Sequence, residues 1–119
     1  MIIEYVDQLL CVPLTIMYKV KKKAIEQMII DTGAAHSIIS SDVADEIRIT
    51  FEDGDEIVRS FGIGGEEFSF RKQIQQIEIG TYRIENFTID FGVLPEKING
   101  LIGLDTVNYS HHLPPLRIA

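Results

Sequence analysis

Cysteine occurs once in the chain, at Cys11. An intrachain disulfide is therefore impossible, and one cysteine beside three histidines is a poor inventory for a metal site. Cys11 reads as a small apolar residue in a strand. Basic residues are few: 11 Lys and Arg stand against 18 Asp and Glu, a net charge of −7. A phosphate backbone would be repelled, so no nucleic-acid partner is expected. No basic segment precedes the apolar start, which carries Glu4 and Asp7, so it does not read as a signal peptide. The uncharged stretch from Gln8 to Tyr18 is too short to cross a bilayer, and no membrane partner is expected. Without a sorting signal or a disulfide, the default location is cytoplasmic. Linkers and low-complexity segments are absent too.

What is present is an ordinary globular composition, 45% apolar and 24% charged, in 119 residues. That length fits one domain, residues 1–119, with one real core. Leu10, Val12, Leu14 and Ile16 alternate with Cys11, Pro13, Thr15 and Met17, the period of a strand. Lys19 to Lys23 reads as a solvated hairpin tip, and Ala24 to Ile30 as the returning strand. Ser41 to Glu46 suits one helical turn capped by Ser41 or Asp42. Ile47, Ile49 and Phe51 alternate again. Glu56 to Phe61 and Glu66 to Phe70 flank Gly62-Ile63-Gly64-Gly65, a reversal that glycines permit. Ile74 to Ile79 and Tyr82 to Phe91 predict a further hairpin, turning at Gly80-Thr81. Ile98 to Gly103 is an apolar strand, and Asp105 caps a short helix toward Tyr109. Closely spaced strands with two short helical signals predict an all-β domain.

One triplet stands out. Asp31-Thr32-Gly33, followed by Ala34, sits at the end of the apolar run Met28-Ile29-Ile30. A rigid strand end places the carboxylate, the glycine lets the backbone turn close to a ligand, and the threonine hydroxyl can tie the loop in place. A phosphate-binding reading of the glycines fails, because no Gly-Lys-Ser/Thr follows and Gly62 to Gly65 opens no helix.

The order of elements resembles the retropepsin-like aspartic proteinases, the single-lobe relatives of pepsin. The resemblance runs from about Leu9 to Val107. Its parts are a hairpin leading into Asp31-Thr32-Gly33-Ala34, then Ser37-Ile38-Ile39, then the flap-like Phe61-Gly62-Ile63-Gly64-Gly65. Ile77-Glu78-Ile79-Gly80 and Asn99-Gly100-Leu101-Ile102-Gly103-Leu104-Asp105 follow. The pattern is closer to cellular and bacterial members than to viral ones. It implies an all-β, closed barrel or sandwich with one short C-terminal helix, and an aspartic endopeptidase with no cofactor and no metal.

In that family Asp31 would be catalytic, Thr32 would lock the loop to its twin, and Gly33 would lie against the substrate backbone. Gly62, Ile63, Gly64 and Gly65 would form a flap over an extended peptide or unfolded protein substrate. Leu101, Ile102 and Gly103 would buttress the loop. Ala34 has no hydroxyl to offer the carboxylate, which implies mildly rather than strongly acidic working conditions. The chemistry needs two carboxylates sharing one proton, yet no second Asp-Thr/Ser-Gly exists: Asp105-Thr106 is followed by Val107. The expected species is therefore a two-fold homodimer pairing Asp31 with its twin. His36 reads as a surface or supporting residue, and His111-His112 as tail residues. One departure from the pattern is the tail, where Pro114 and Pro115 cannot donate to a sheet ladder. It keeps a second expectation in view, a catalytically silent module of the same fold that dimerises or binds peptides.

Overall fold

Strand β2 (Leu9–Tyr18) carries the alternation through: Val12, Leu14 and Ile16 are buried, and Pro13 is exposed. The structure, a computed structural model, describes residues 2–6, 9–31, 33–62, 65–103, 105, 106, 117 and 118. β2 pairs with β3 (Lys21–Ile30), setting Val12 opposite Met28 and Leu14 opposite Ile25. Pro13 has no N–H for this ladder. Opposite it β3 fits two residues, Glu26 and Gln27, and Gln27 takes a φ of 54°. This bulge sets the buried positions of β3, Ile25 and Met28, three apart instead of two. Lys19 and Val20 alone make the turn, with φ of 48° and 62°, the twist a two-residue hairpin loop requires. The tip is thus shorter than Lys19–Lys23, and Lys21 to Lys23 belong to β3.

After β4 (Ile38–Ser40) comes the helix α1 (Ser41–Asp45). Its N-cap is Ser40, one residue before the expected cap, and it makes no side-chain capping bond. Ile47, Ile49 and Phe51 are not a strand. The N–H of Ile49 donates back to Ala44 O (3.0 Å) and that of Arg48 to Asp45 O (3.0 Å), while Arg48 has a φ of 61°. This is a left-handed helix stop with an apolar residue, the buried Ile49, folded back on the buried Ala44. No glycine announces it, so alternation alone misleads.

The long hairpins follow. β5 (Glu56–Gly62) pairs with β6 (Gly65–Ile79), and β6 with β7 (Tyr82–Gly92). The strands expected at Glu66 to Phe70 and at Ile74 to Ile79 are one strand, β6, which runs on through the polar Arg71-Lys72-Gln73. Each charge there has a partner. Arg71 Nε donates to Asp90 Oδ1 (2.7 Å), and Lys72 Nζ meets Asp55 (2.6 Å) and Glu52 (3.0 Å). Fifteen residues of straight strand would measure roughly 50 Å, more than the molecule's longest dimension of 39 Å. β6 therefore curves, and its far end also pairs with β2, Ile77 opposite Ile16.

The strand order is β5-β6-β7-β4-β8-β3-β2-β1-β9, with β8 at Gly100–Ile102, β1 at Ile2–Val6 and β9 at Arg117–Ile118. β1 and β9 pair in parallel, so the chain returns to the sheet beyond Pro114-Pro115; those prolines and His111-His112 lie outside the described residues. The core gathers Leu14, Ile16, Ile25, Met28, Ile39, Ile74, Ile77 and Phe91 from β2, β3, β4, β6 and β7. Cys11 is buried, as a strand residue should be. The described residues are mostly strand, with α1 as a small helix, and no helix among them is long and apolar enough to cross a membrane.

Lys72 locks the loop after α1 onto β6. Burial alone would lower its ammonium, but Asp55 and Glu52 hold it above its ordinary value. The hydrogen bond from Lys72 is the main force lowering Glu52; at Asp55 burial pulls upward and the bonds from Lys72 and the Glu52 N–H outweigh it. Both carboxyls are depressed, so their contribution is complete above the ordinary carboxyl range and is lost as pH falls through their folded-state values. Asp55→Asn is expected to lose about 2 kcal/mol at neutral pH. Urea titrations should show that difference shrinking below about pH 4.

Candidate active site

Asp31 follows directly on β3. Ile29 and Ile30 pair in parallel with Leu101 and Ile102 of β8, and the Asp31 N–H extends the ladder by donating to Ile102 O at 2.9 Å. The backbone of Asp31 is thus fixed before its loop begins. Its side chain is half-buried, and Oδ1 accepts the Gly33 N–H at 3.0 Å. The Ala34 N–H closes the turn on Asp31 O at 3.2 Å. A Cβ on Gly33 would lie only 3.2 Å from Asp31 Oδ1, so the glycine lets the loop fold tightly over the carboxylate. Among the described residues Oδ2 has no partner. Thr32 lies outside the described residues.

β8 runs between β3 and β4, parallel to one and antiparallel to the other. The two strands flanking the Asp31 loop are therefore joined through β8, and the join is polar. Ser37 is fully buried just before β4. Its hydroxyl donates to Asp105 Oδ1 (2.7 Å) and accepts the Gly103 N–H (3.0 Å), and it lies 2.8 Å from the Thr106 hydroxyl. The Ser37 N–H reaches both Asp105 oxygens at 3.0 Å, and the Asp105 N–H returns to Ala35 O at 3.1 Å. Asp105 and Thr106 are helical, as the sequence suggests for the start of this segment. Gly103 passes so close that a Cβ would come within 2.8 Å of Ala34 O and 2.7 Å of the His36 carbonyl carbon. His36 is exposed, its Nδ1 4.0 Å from Asp105 Oδ2.

In the sequence Ser37 stands out only as part of a pattern, and Asp105 as a cap, as the end of the Asn99–Asp105 element and as an Asp-Thr pair with no glycine after it. Their signal was polarity at both ends of apolar strands, Ser37 before Ile38-Ile39 and Asp105 after Leu101-Ile102-Gly103. Only the placing of β8 between β3 and β4 shows that those ends meet. Asp105 Oδ1 accepts from Ser37 and Thr106 and its Oδ2 from the Ser37 N–H, so the carboxylate is engaged in this join.

Gly62 and Gly65 face each other at the end of the β5–β6 hairpin, and Ile63 and Gly64 lie outside the described residues. Glu56, Arg71 and Asp90 stand side by side across β5, β6 and β7 on one face of the sheet. Arg71 also lines a cleft of about 260 Å³ with His36 and Asp105. The face holding Arg71, which also bears Val58, Ser60, Glu67 and Ser69, is thus the face next to the Asp31 loop segment.

Ser37→Ala is expected to cost about 2 kcal/mol in urea unfolding, because it strips a partner from the buried Gly103 N–H and from Asp105 at once. Asp31→Asn, which keeps the bond from Gly33, should change stability by less than about 0.5 kcal/mol.

None of the curated proteins matches the chain. A family described as Aspartyl protease matches residues 16–106, from near the end of β2 through the Asp31 loop, the β5–β6 hairpin and β8 to Thr106. That span is most of the 119 residues, and the chain belongs to this aspartyl protease family, of the retropepsin-like kind.

Proposed function

We propose that the protein is an aspartic endopeptidase that acts as a homodimer, with Asp31 of each copy forming one dyad. The observation that carries this reading is the Asp31 loop. Its carboxylate leaves a strand end held on β8, one oxygen bonded to the loop and the other without a partner among the described residues. The β2–β6 pairing supports reading the lobe as a closed barrel. The second carboxylate comes from a second copy, because the sequence holds a single Asp-Thr-Gly and Asp105 is occupied.

Two such carboxyls held close together cannot both ionise, so the pair keeps one proton. The ionised member takes a proton from a bound water, which attacks the peptide carbonyl carbon. The protonated member donates to the carbonyl oxygen, giving a tetrahedral intermediate with no covalent link to the protein. Collapse of that intermediate breaks the C–N bond as the leaving nitrogen is protonated. In this reading Thr32 ties one loop to its twin, and Gly33 and Ala34 lie along the substrate backbone. The hairpin tip at Gly62, Ile63, Gly64 and Gly65 closes over the peptide and excludes water. Leu101, Ile102 and Gly103 hold the loop from behind.

Two measurements test this. A mixed peptide library incubated with the wild type and with Asp31→Asn, read by mass spectrometry, should show cleavage by the wild type alone. Cleavage by neither, from a protein that sediments as a dimer, identifies a silent module of the same fold. Equal amounts of wild type and Asp31→Asn, allowed to exchange, should leave about one quarter of the dimers with two aspartates. Activity per total protein should then fall to about one quarter; a value near one half means that each copy works alone.

A further inference from the structure

Six large hydrophobic side chains are exposed among the described residues, and four of them line one groove. They are Phe51 (48% exposed), Ile57 (59%), Phe68 (59%) and Val93 (82%). The groove holds about 280 Å³. It lies on the face of β5–β6–β7 opposite Arg71, since Ile57, Phe70 and Phe91 are register partners one step removed from the Glu56–Arg71–Asp90 row. Its floor is rigid. Phe91 is fully buried in the core, Phe70 stacks on it at 5.4 Å, and Phe51 meets Phe70 edge-on at 6.1 Å.

The two ends of the groove differ in charge. Toward α1 it shares Ser41, Phe51 and Phe70 with a pocket that contains Asp42 and Asp45. Both aspartates are exposed, and neither has a cationic partner among the described residues. Toward the hairpin the charges cancel, Arg59 pairing with Glu66 at 2.9 Å. Apolar surface this exposed and contiguous marks an interaction site. A single acidic end says what chemistry completes it. An anionic lipid surface is repelled there, and a basic segment is attracted.

We propose that this groove docks a polypeptide segment in which one or two large apolar side chains stand beside a lysine or arginine. The apolar side chains cover Phe51, Ile57, Phe68 and Val93, and the cation sits at Asp42 and Asp45. On the peptidase reading, on which this consequence rests, the segment is a distal part of the substrate. Docking it on the outer face of the hairpin raises the effective concentration of the scissile segment on the inner face.

The test uses Asp31→Asn protein, so that nothing is consumed. The probe is a fluorescent twelve-residue peptide of alternating Leu/Phe and Lys/Arg, with a Glu-for-Lys/Arg control, and binding is followed by anisotropy. The basic peptide should bind more tightly than the acidic one, and less tightly as salt rises. Adding Val93→Lys, at a site too exposed to disturb the fold, should weaken binding about tenfold. Asp42→Asn with Asp45→Asn should weaken it and flatten the salt dependence. Amide shifts in NMR should move at Ser41, Phe51 and Val93. Equal binding of both peptides, indifference to Val93→Lys, or shifts confined to the Asp31 loop overturns the proposal. So does a change in sedimentation with Val93→Lys, which would make a second copy the occupant. Docking lost while Asp31-dependent cleavage persists sinks this inference alone; docking kept while no peptide is cleaved sinks the peptidase reading alone.

Discussion

A serine hydroxyl with no exposure must be hydrogen-bonded, or the fold loses the cost of desolvating it. Ser37 meets that requirement by joining three elements at once: the entry to β4, the end of β8 at Gly103, and the helical turn at Asp105 and Thr106. The join makes β8 a wedge between β3 and β4. With β8 in place, the Asp31 N–H finds Ile102 O, and the carboxylate leaves the sheet from a fixed point. Gly103 is part of the same constraint, since any side chain there would strike the backbone of Ala34 and His36. The Asp31 carboxylate is thus positioned through a join that a second aspartate, Asp105, holds together.

Most of the fold was legible in the sequence because its strands bury one face each. Val12, Leu14 and Ile16 show the period plainly, and so do Phe87, Ile89 and Phe91 in β7. The Asp31 loop was legible for a related reason: an apolar run ending in Asp-Thr-Gly specifies both a strand end and a tight turn. What stayed hidden depended on partners distant in sequence. Lys72 looks like an interruption until Glu52 and Asp55 are seen across from it. Arg48 looks like a strand residue until its backbone turns left-handed. The strand at Ile2–Val6 was missed because its apolar residues were weighed only as a sorting signal. Ser37 and Asp105 lie 68 residues apart, and no local pattern connects them.

Charge is managed differently on the two faces of the hairpin sheet. The face near the Asp31 loop carries the Glu56–Arg71–Asp90 row, in which the hydrogen bonds that Arg71 donates to Asp90 are the main cause holding its guanidinium above its ordinary value. The opposite face is aromatic and aliphatic from the buried Phe91 outward to the exposed Phe68, with the Arg59–Glu66 pair toward the hairpin end. A strand with a period of two can therefore present ion pairs inward to a cleft and apolar surface outward to solvent, from adjacent residues.

The curved β6 strand has a mechanical meaning as well. From Ser69 onward it is flanked by β7, and from Gln76 to Glu78 by β2 as well. Between Gly65 and Phe68 it is paired with β5 alone. The hairpin is therefore a short beam clamped at Ser69, with a free span of roughly 13 Å on this strand. A two-stranded ribbon twists more readily than a wider sheet. Of the described hairpin, that span is therefore the part least braced against twisting, since every residue of β6 from Ser69 to Arg71 has a strand on both sides.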